Sequence, residues 1–375
     1  RPPRSTLFPY TTLFRSSVGR PLDCFSLRYD GGRFDESRYA EAVADDPERY
    51  RLHWVRPHAD GMVDRLRRIV WHHDAPAPMR GRYPQWFVYE TACRHVRATL
   101  VGDGGDELLA GYDRFVFPYV MDRLRGLAPD AGRLGVLAEI PSLMILTHGY
   151  RRRLLRLTGP ALLLKAGIGC WGQPRVVRPE FAAAHGPVPM DRFFSTWWRD
   201  DAARPYRSHL NNALWHELTR VGLPEELHAE DALSMAFSVE SRPPLLDHRV
   251  VELCAALPFD RKIRDGWTKH LLRRALREVL PPQVLQRRDK VGFFAPIGAW
   301  LRRADNLADL RGILLDRRCR DRGVLDAPAL EKALRRFAAA PADDGWGSPE
   351  PVWRWLNVEL WYQQFLDPTP EAPRA

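Results

Sequence analysis

Thiols and lysines are scarce in this 375-residue chain, and both shortages narrow its chemistry. The five cysteines, Cys24, Cys93, Cys170, Cys254 and Cys319, are scattered without a CxxC pair. A disulfide framework or a zinc ribbon is therefore not expected, and buried free thiols in a reducing cytoplasm are the reading. No base falls near Cys170 or Cys254 in the sequence, which argues against a nucleophilic thiol. No uncharged apolar run reaches the length of about 18 residues that a spanning helix needs. The best stretch, Leu162–Ile168, is short and interrupted by Lys165, so no membrane partner is expected. GxSxG, HExxH and Walker A patterns are all missing. His72, His73 and Asp74 are adjacent, so they point in different directions and lack a third ligand at metal spacing.

What is present is a large stock of apolar surface. Hydrophobic residues make up 45% of the chain and aromatics 11%, with 13 Trp, enough to offset the entropy of ordering. The net charge of +10 invites a nucleic-acid reading, but the arginines are spread along the whole chain with no basic run interleaved with aromatics. Nucleic acid is not an expected partner. Only five of the 57 basic residues are lysine, so the composition favours arginine almost everywhere.

Residues 1–16, RPPRSTLFPYTTLFRS, read as the translation of a sequencing adapter and are set outside the fold as a non-native tail. Without its three arginines the charge of +10 falls to +7. From there the pattern alternates. PLDCFSLRY (21–29) suits a strand, Asp35 and Glu36 open a helix through Val43, and Leu52–Val55 suits a second strand. Helices are predicted near 60–71 and 85–95, followed by an apolar stretch, Ala98–Val101, that stops at GDGGDE. Strands alternating with helices imply a parallel sheet in an α/β portion over 17–115. Helical periodicity dominates 116–367, as in 213–221, 249–256, 270–279 and 330–337; residues 340–350 read as a surface loop and 368–375 as a tail.

Three segments carry candidate chemistry. In VGDGGDE (101–107), glycines permit positive φ and close backbone approach, so successive N–H groups can converge on an anion. Asp103, Asp106 and Glu107 supply oxygen donors suited to Mg²⁺ on a polyphosphate. A plain Gly-Asp turn capping a helix at Asp106 fits the same letters. In RRDKVGFFAP (287–296), Lys290 is a lysine retained in an arginine-rich chain, and its compact charge would suit a phosphate whose charge changes during displacement. An ordinary surface lysine before a helix is the alternative. In EDALSMAFSVESRPPLLD (230–247), a helix precedes Glu240 and Arg242, and Pro243 and Pro244 impose an extended turn. Either of those charged residues can serve a substrate, or the two form a structural ion pair; Met235 and Phe237 are expected in the core.

In this order and spacing the segments resemble the glutamine-dependent asparagine synthetase family. The matching stretches run from FSLRYDGGRFDESRYAEAVA and GDGGDELLAGYDRF through EDALSMAFSVESRPPLLDHRVVEL, LPFDRKIRDGWTKHLLRRAL and LPPQVLQRRDKVGFFAPIGAWL to LNVELWYQQF, spanning residues 25–365. The resemblance implies an α/β fold with a parallel sheet of the adenine-nucleotide alpha-hydrolase, or ATP-pyrophosphatase, type, its first strand missing here, followed by a mostly helical region. It implies an ATP- and Mg²⁺-using amide ligase that makes asparagine from aspartate through β-aspartyl-AMP. Ammonia would come from a glutaminase domain, in the cytoplasm, with a homodimer as the candidate assembly.

By position, the backbone of Leu27 would face adenine, Val101, Gly102 and Gly104 would line the nucleotide, and Asp103 would serve acyl-adenylate formation. Asp106 would ligate Mg²⁺, Lys290 would contact the phosphates, and Glu240 would lie near the intermediate as a base. The chain departs from the family with Val101 where serine is usual, Ala232 where arginine is, and Leu245 where phenylalanine is. A Ser-Gly-Gly-x-Asp-Ser pyrophosphate loop is expected upstream of Pro21 and the glutaminase further upstream; without them, little or no turnover is expected. Two alternatives remain: a relative that amidates another carboxylate or closes a lactam or macrocycle, and a non-catalytic basic binding protein.

Overall fold

The computed structural model describes residues 5–6, 21–29, 31–32, 34–77, 79–126, 176–185, 205–288, 292–339 and 349–367. Lys290, the 340–348 part of the expected loop and the 368–375 tail lie outside them. Within these bounds the chain is a mixed α/β protein, mostly helical, around one parallel sheet. Its strands are β1 (Ser5–Thr6), β2 (Leu22–Leu27), β3 (Tyr50–Val55), β4 (Ala98–Leu100) and β5 (Glu240–Arg242). Their order across the sheet is β3-β2-β1-β4-β5, and every pairing is parallel.

The β2–β3 ladder is the longest, in register from Leu22 opposite Tyr50 to Leu27 opposite Val55. At the centre, β1 joins the two halves by two residue pairs on the β2 side and one on the β4 side. Ser5–Thr6 belongs to the stretch that the sequence reading sets aside. Strand pairing uses backbone N–H and C=O groups, so an extended segment of almost any composition can occupy an open slot between two parallel strands.

Helix α1 (Ser37–Val43) follows β2, and α2 (Met62–His73) and α3 (Arg82–Ala92) lie between β3 and β4. Helix α2 buries Met62, Val63, Leu66, Ile69, Val70 and His73, one stripe at helical spacing. Helix α3 buries nine of its eleven residues, from Arg82 through Tyr89 and again at Ala92, which makes it a core helix rather than a surface one. It packs on β2 and β3, and Pro84 falls in its first turn, where a missing N–H breaks no helical bond.

After β4 come the short α4 (Gly105–Leu109), α5 (Val116–Leu124), α6 (His209–Thr219), α7 (Gly222–Met235) and α8 (His248–Ala256). Ser208 caps α6 by accepting from the Asn211 N–H at 3.0 Å. Buried Asp122 accepts from Ser208 Oγ at 2.6 Å, His209 N–H at 2.7 Å and Leu210 N–H at 2.9 Å, tying α5 to the start of α6. Helix α7 packs against α2, α3 and β5 together. Further on, α9 (Ala304–Leu314), α10 (Ala327–Ala339) and α11 (Glu350–Phe365) close the main core, where Trp353 donates its indole N–H to the Ala77 carbonyl at 3.2 Å.

Two local expectations need correction. Met235 is exposed at the end of α7, because the helix turns its apolar side, through Leu233, toward α3. Phe237 does reach the core, edge-on to Trp86 with centroids 4.6 Å apart. Glu240–Arg242, expected only as part of a turn region, is an edge strand. The four described cysteines are free, and burial raises the Cys254 and Cys319 thiols, which keeps them protonated and unreactive.

Candidate active site

All five strands run the same way, so their C-terminal ends share one edge. The order β3-β2-β1 followed by β4-β5 reverses direction between β1 and β4. A crevice at such a reversal, outside the carboxyl ends of the strands, is where open parallel sheets bind ligands. The segment leaving β4 at that point is Val101-Gly102-Asp103-Gly104-Gly105.

The Val101 N–H donates to the Arg242 carbonyl at 3.0 Å, extending the β4–β5 pairing one residue past the strand, and its side chain is buried. Gly105 then donates to the Gly102 carbonyl at 3.3 Å and closes the turn. Gly104 has φ +85°, and a Cβ there would lie 2.2 Å from Leu246 Cδ2. Both the conformation and the space demand glycine. Leu27 ends β2 on the same edge, half-buried against the core.

Asp103 points from this turn into a cavity of ≈ 190 Å³ lined also by Val101, Leu227, Glu230, Asp231, Ser241 and Pro243. Its Oδ2 is buried and accepts no hydrogen bond. Burial, then the charges of Glu230 and Glu226, raise the Asp103 carboxyl to about 8. Glu230, on α7, accepts from Gln85 Nε2 and Tyr89 OH on α3 and from Ser241 Oγ at 3.2 Å on β5. Burial raises it as well, opposed by the Tyr89 hydrogen bond and by Arg82. The cation is Arg82, buried and bidentate on Glu226 at 3.1 and 2.9 Å. Asp103, Glu230 and Asp231 thus line the recess, the Arg82–Glu226 pair acts on it from beyond the lining, and at neutral pH Asp103 is held largely protonated.

Period-two alternation along β5 separates Glu240 from this group. Ser241 faces inward, whereas Glu240 and Arg242 form an exposed bidentate pair at 2.8 and 2.6 Å. The Arg242 hydrogen bonds hold the Glu240 carboxyl below its usual range, so it is a carboxylate at neutral pH.

Asp106, the first-turn acid of α4, lies 2.9 Å from Lys269 Nζ. Lys269 itself has φ +52° and donates its N–H to the Leu109 carbonyl at 3.1 Å. Gly111 makes this meeting possible, because a Cβ there would fall 1.7 Å from Asp106 Oδ1 and 2.3 Å from Lys269 Cε. Glu107 is buried and accepts from Tyr112 OH at 2.7 Å.

The structure therefore brings Val101, Gly102, Asp103, Gly104 and Asp106 to one edge with Leu27. The stretch before Lys290 is anchored by Arg287, paired with Glu36 and lying 4.2 Å over Tyr39, and by Arg288, 3.9 Å over Trp267. The sequence reading missed Lys269, Glu230 and Arg82. Lysine rarity, which singled out Lys290, applies equally to Lys269; the buried acids and their arginine carry no comparable signal.

The Asparagine synthase family model matches residues 10–363. The chain belongs to this family. A Mycobacterium bovis protein provisionally named asparagine synthetase (glutamine-hydrolysing) is 31% identical over 317 residues, 82% of this chain and 46% of that protein. Asparagine synthetase (glutamine-hydrolysing) 1 of Bacillus subtilis is 28% identical over 249 residues, 65% of this chain and 38% of that protein. Amidase chry2 of Gibberella zeae is 23% identical over 316 residues, 77% of this chain and 45% of that protein. The chain spans about half the length of the curated relatives it matches, or less. Family membership supports an ATP-dependent amide ligase.

Proposed function

We propose that the protein carries the synthetase chemistry of an asparagine synthetase. Mg-ATP lies along the edge formed by Leu27, Val101, Gly102 and Gly104, in an ATP-pyrophosphatase type of arrangement. The side-chain carboxylate of aspartate attacks the α-phosphate, the bond to the β-phosphate breaks, and pyrophosphate leaves β-aspartyl-AMP behind. Ammonia, supplied by glutamine hydrolysis elsewhere, then attacks the acyl carbon and AMP departs. Such chemistry depends on positioning and charge stabilisation more than on a strong base.

The observation that carries this reading is Asp103 at the sheet's reversal point, half-buried, with its buried Oδ2 left unpartnered. A carboxyl kept protonated by burial can donate to a phosphoryl or carboxylate oxygen instead of repelling it. Asp106 would hold Mg²⁺, since carboxylate oxygen is the donor that ion prefers, and the ion would neutralise charge on the polyphosphate. Lys290 would contact the phosphates through the transition state. Glu240, turned outward and paired with Arg242, would have to release that arginine before accepting a proton from the incoming amine. The Val101 side chain offers no hydroxyl, so backbone N–H groups take the whole of that contact.

In a second reading another carboxylate is amidated or a lactam or macrocycle is closed; a relative named for a different activity, Amidase chry2, keeps the acceptor open. Equilibrium binding separates the two without requiring turnover. A non-hydrolysable β-aspartyl adenylate analogue is expected to bind at least about tenfold more tightly than AMP. The γ-glutamyl and acetyl analogues are expected to gain little. Equal or tighter binding of another acyl analogue would favour the second reading, and failure to bind any adenylate would overturn both.

A further inference from the structure

The opposite edge of the sheet holds a second group of chemistry-bearing side chains. Asp23 is the second residue of β2, His53 lies on β3, and His95 lies in the turn between α3 and β4. One ligand atom from each falls within 4.8 Å of the other two, and no other trio of His, Cys, Asp or Glu does so among the described residues. His53 Nε2 lies 2.8 Å from Asp23 Oδ1. The two imidazole centroids are 4.1 Å apart, and Phe25 stacks under His53 at 5.0 Å and 16° and tilts against His95 at 5.8 Å. A buried phenyl ring therefore sets the position of both imidazoles from one side.

The strands are parallel, and His95 precedes β4 while Asp103 follows it, so β4 separates this group from the candidate active site. We propose that Asp23, His53 and His95 form a binding site for a Zn²⁺-class transition-metal ion. Two imidazole nitrogens and one carboxylate oxygen suit zinc, nickel or copper, whereas Mg²⁺ takes oxygen donors and keeps its waters. Bonds of roughly 2.0–2.2 Å in a tetrahedral set place ligand atoms about 3.3 Å apart. The Asp23–His53 contact has to open by about half an ångström and His95 has to close in, both side-chain movements.

The competitor for Asp23 is Arg51, whose Nη1 is 3.4 Å from Oδ1 on a side chain 65% exposed and free to swing out. Asp23 and His53 are 16% and 18% exposed, and His95 is exposed, so one ligand offers a path of entry. The ion joins β2, β3 and the α3–β4 turn, three segments distant in sequence, and its role is to fasten that end of the sheet.

The test uses the full chain without a polyhistidine tag, stripped with chelator and titrated with ZnCl₂, CoCl₂ or MgCl₂. One Zn²⁺ per chain is expected by calorimetry, with a rise in the unfolding temperature, and Co²⁺ is expected to give the visible absorption of a tetrahedral site. His95→Ala changes an exposed side chain, so it is expected to keep the metal-free unfolding temperature while weakening Zn²⁺ at least about tenfold. His53→Gln and Asp23→Asn are expected to do the same to the metal response. Absence of Zn²⁺ and Co²⁺ binding overturns the proposal, as does binding that all three substitutions leave unchanged. A Mg²⁺ response equal to that of Zn²⁺ overturns the donor argument.

Discussion

Gly104→Ala tests the turn on which the candidate site depends. A Cβ at φ +85° meets the left-handed penalty of about 1–2 kcal/mol. It would also lie 2.2 Å from Leu246 Cδ2 and 2.7 Å from Leu246 Cγ, so Leu246 must move at χ1 as well as χ2. Overpacking of this kind costs about 1–3 kcal/mol. The expected loss of stability is therefore about 2–5 kcal/mol. Gly61→Ala is the control, because Gly61 has φ +60° with nothing within 4 Å of its would-be Cβ and carries the conformational part alone. Urea unfolding followed by tryptophan fluorescence reads both. Adding Leu246→Ala to Gly104→Ala should recover the steric part, a coupling of about 1–3 kcal/mol in a double-mutant cycle. A Gly104→Ala loss no greater than that of Gly61→Ala, or strict additivity with Leu246→Ala, would refute the close packing of Leu246 on this turn.

Substitutions at four other positions probe the recess and its surroundings. The folded-state Asp103 carboxyl lies above its unfolded value, so its contribution to stability is full below about pH 4 and is lost as pH rises toward about 8. Asp103→Asn should flatten that decline, whose slope is at most about 1.4 kcal/mol per pH unit, in urea midpoints measured from pH 5 to 8.5; an unchanged slope would show that Asp103 is not the titrating group. Arg82→Met leaves half-buried Glu226 beside Asp103 and buried Glu230 and should cost about 1–3 kcal/mol, read from the same unfolding curves. Lys269→Met leaves Asp106 without its 2.9 Å partner and should lower stability by about 1–2 kcal/mol, given that the lysine is a quarter exposed; Lys269→Arg should recover only part of it. Lys290→Ala should weaken Mg-ATP binding at least about tenfold in calorimetry while leaving the urea midpoint in place.

The layout was legible wherever a local pattern sufficed. The alternation in LDCFSL and the stripe from Met62 to His73 gave a strand and a helix close to their observed bounds, and the apolar stretch ending at GDGGDE marked the end of β4. Three other features depend on contacts that no single segment contains. Glu240–Arg242 has little intrinsic preference for a strand and becomes one because β4 offers it a partner. The acid cluster gathers Asp103, Glu226 and Glu230 from segments more than a hundred residues apart around Arg82. Asp23, His53 and His95 share no spacing motif and meet only through strand register. Among the candidate residues, Asp103 and Asp106 were reachable from the glycine-acid pattern, whereas the outward orientation of Glu240 follows from which side of β5 Ser241 occupies.

The short central strand has a consequence for how the sheet holds together. With two residue pairs on one flank and one on the other, β1 is a thin seam, and most of the cohesion between the halves passes through helices: α3 lies on β2 and β3, and α7 bridges α3 to β5. Amide exchange should be rapid at Ser5 and Thr6 and slowest around Trp86, as in a hull whose planks are joined less to one another than to the keel.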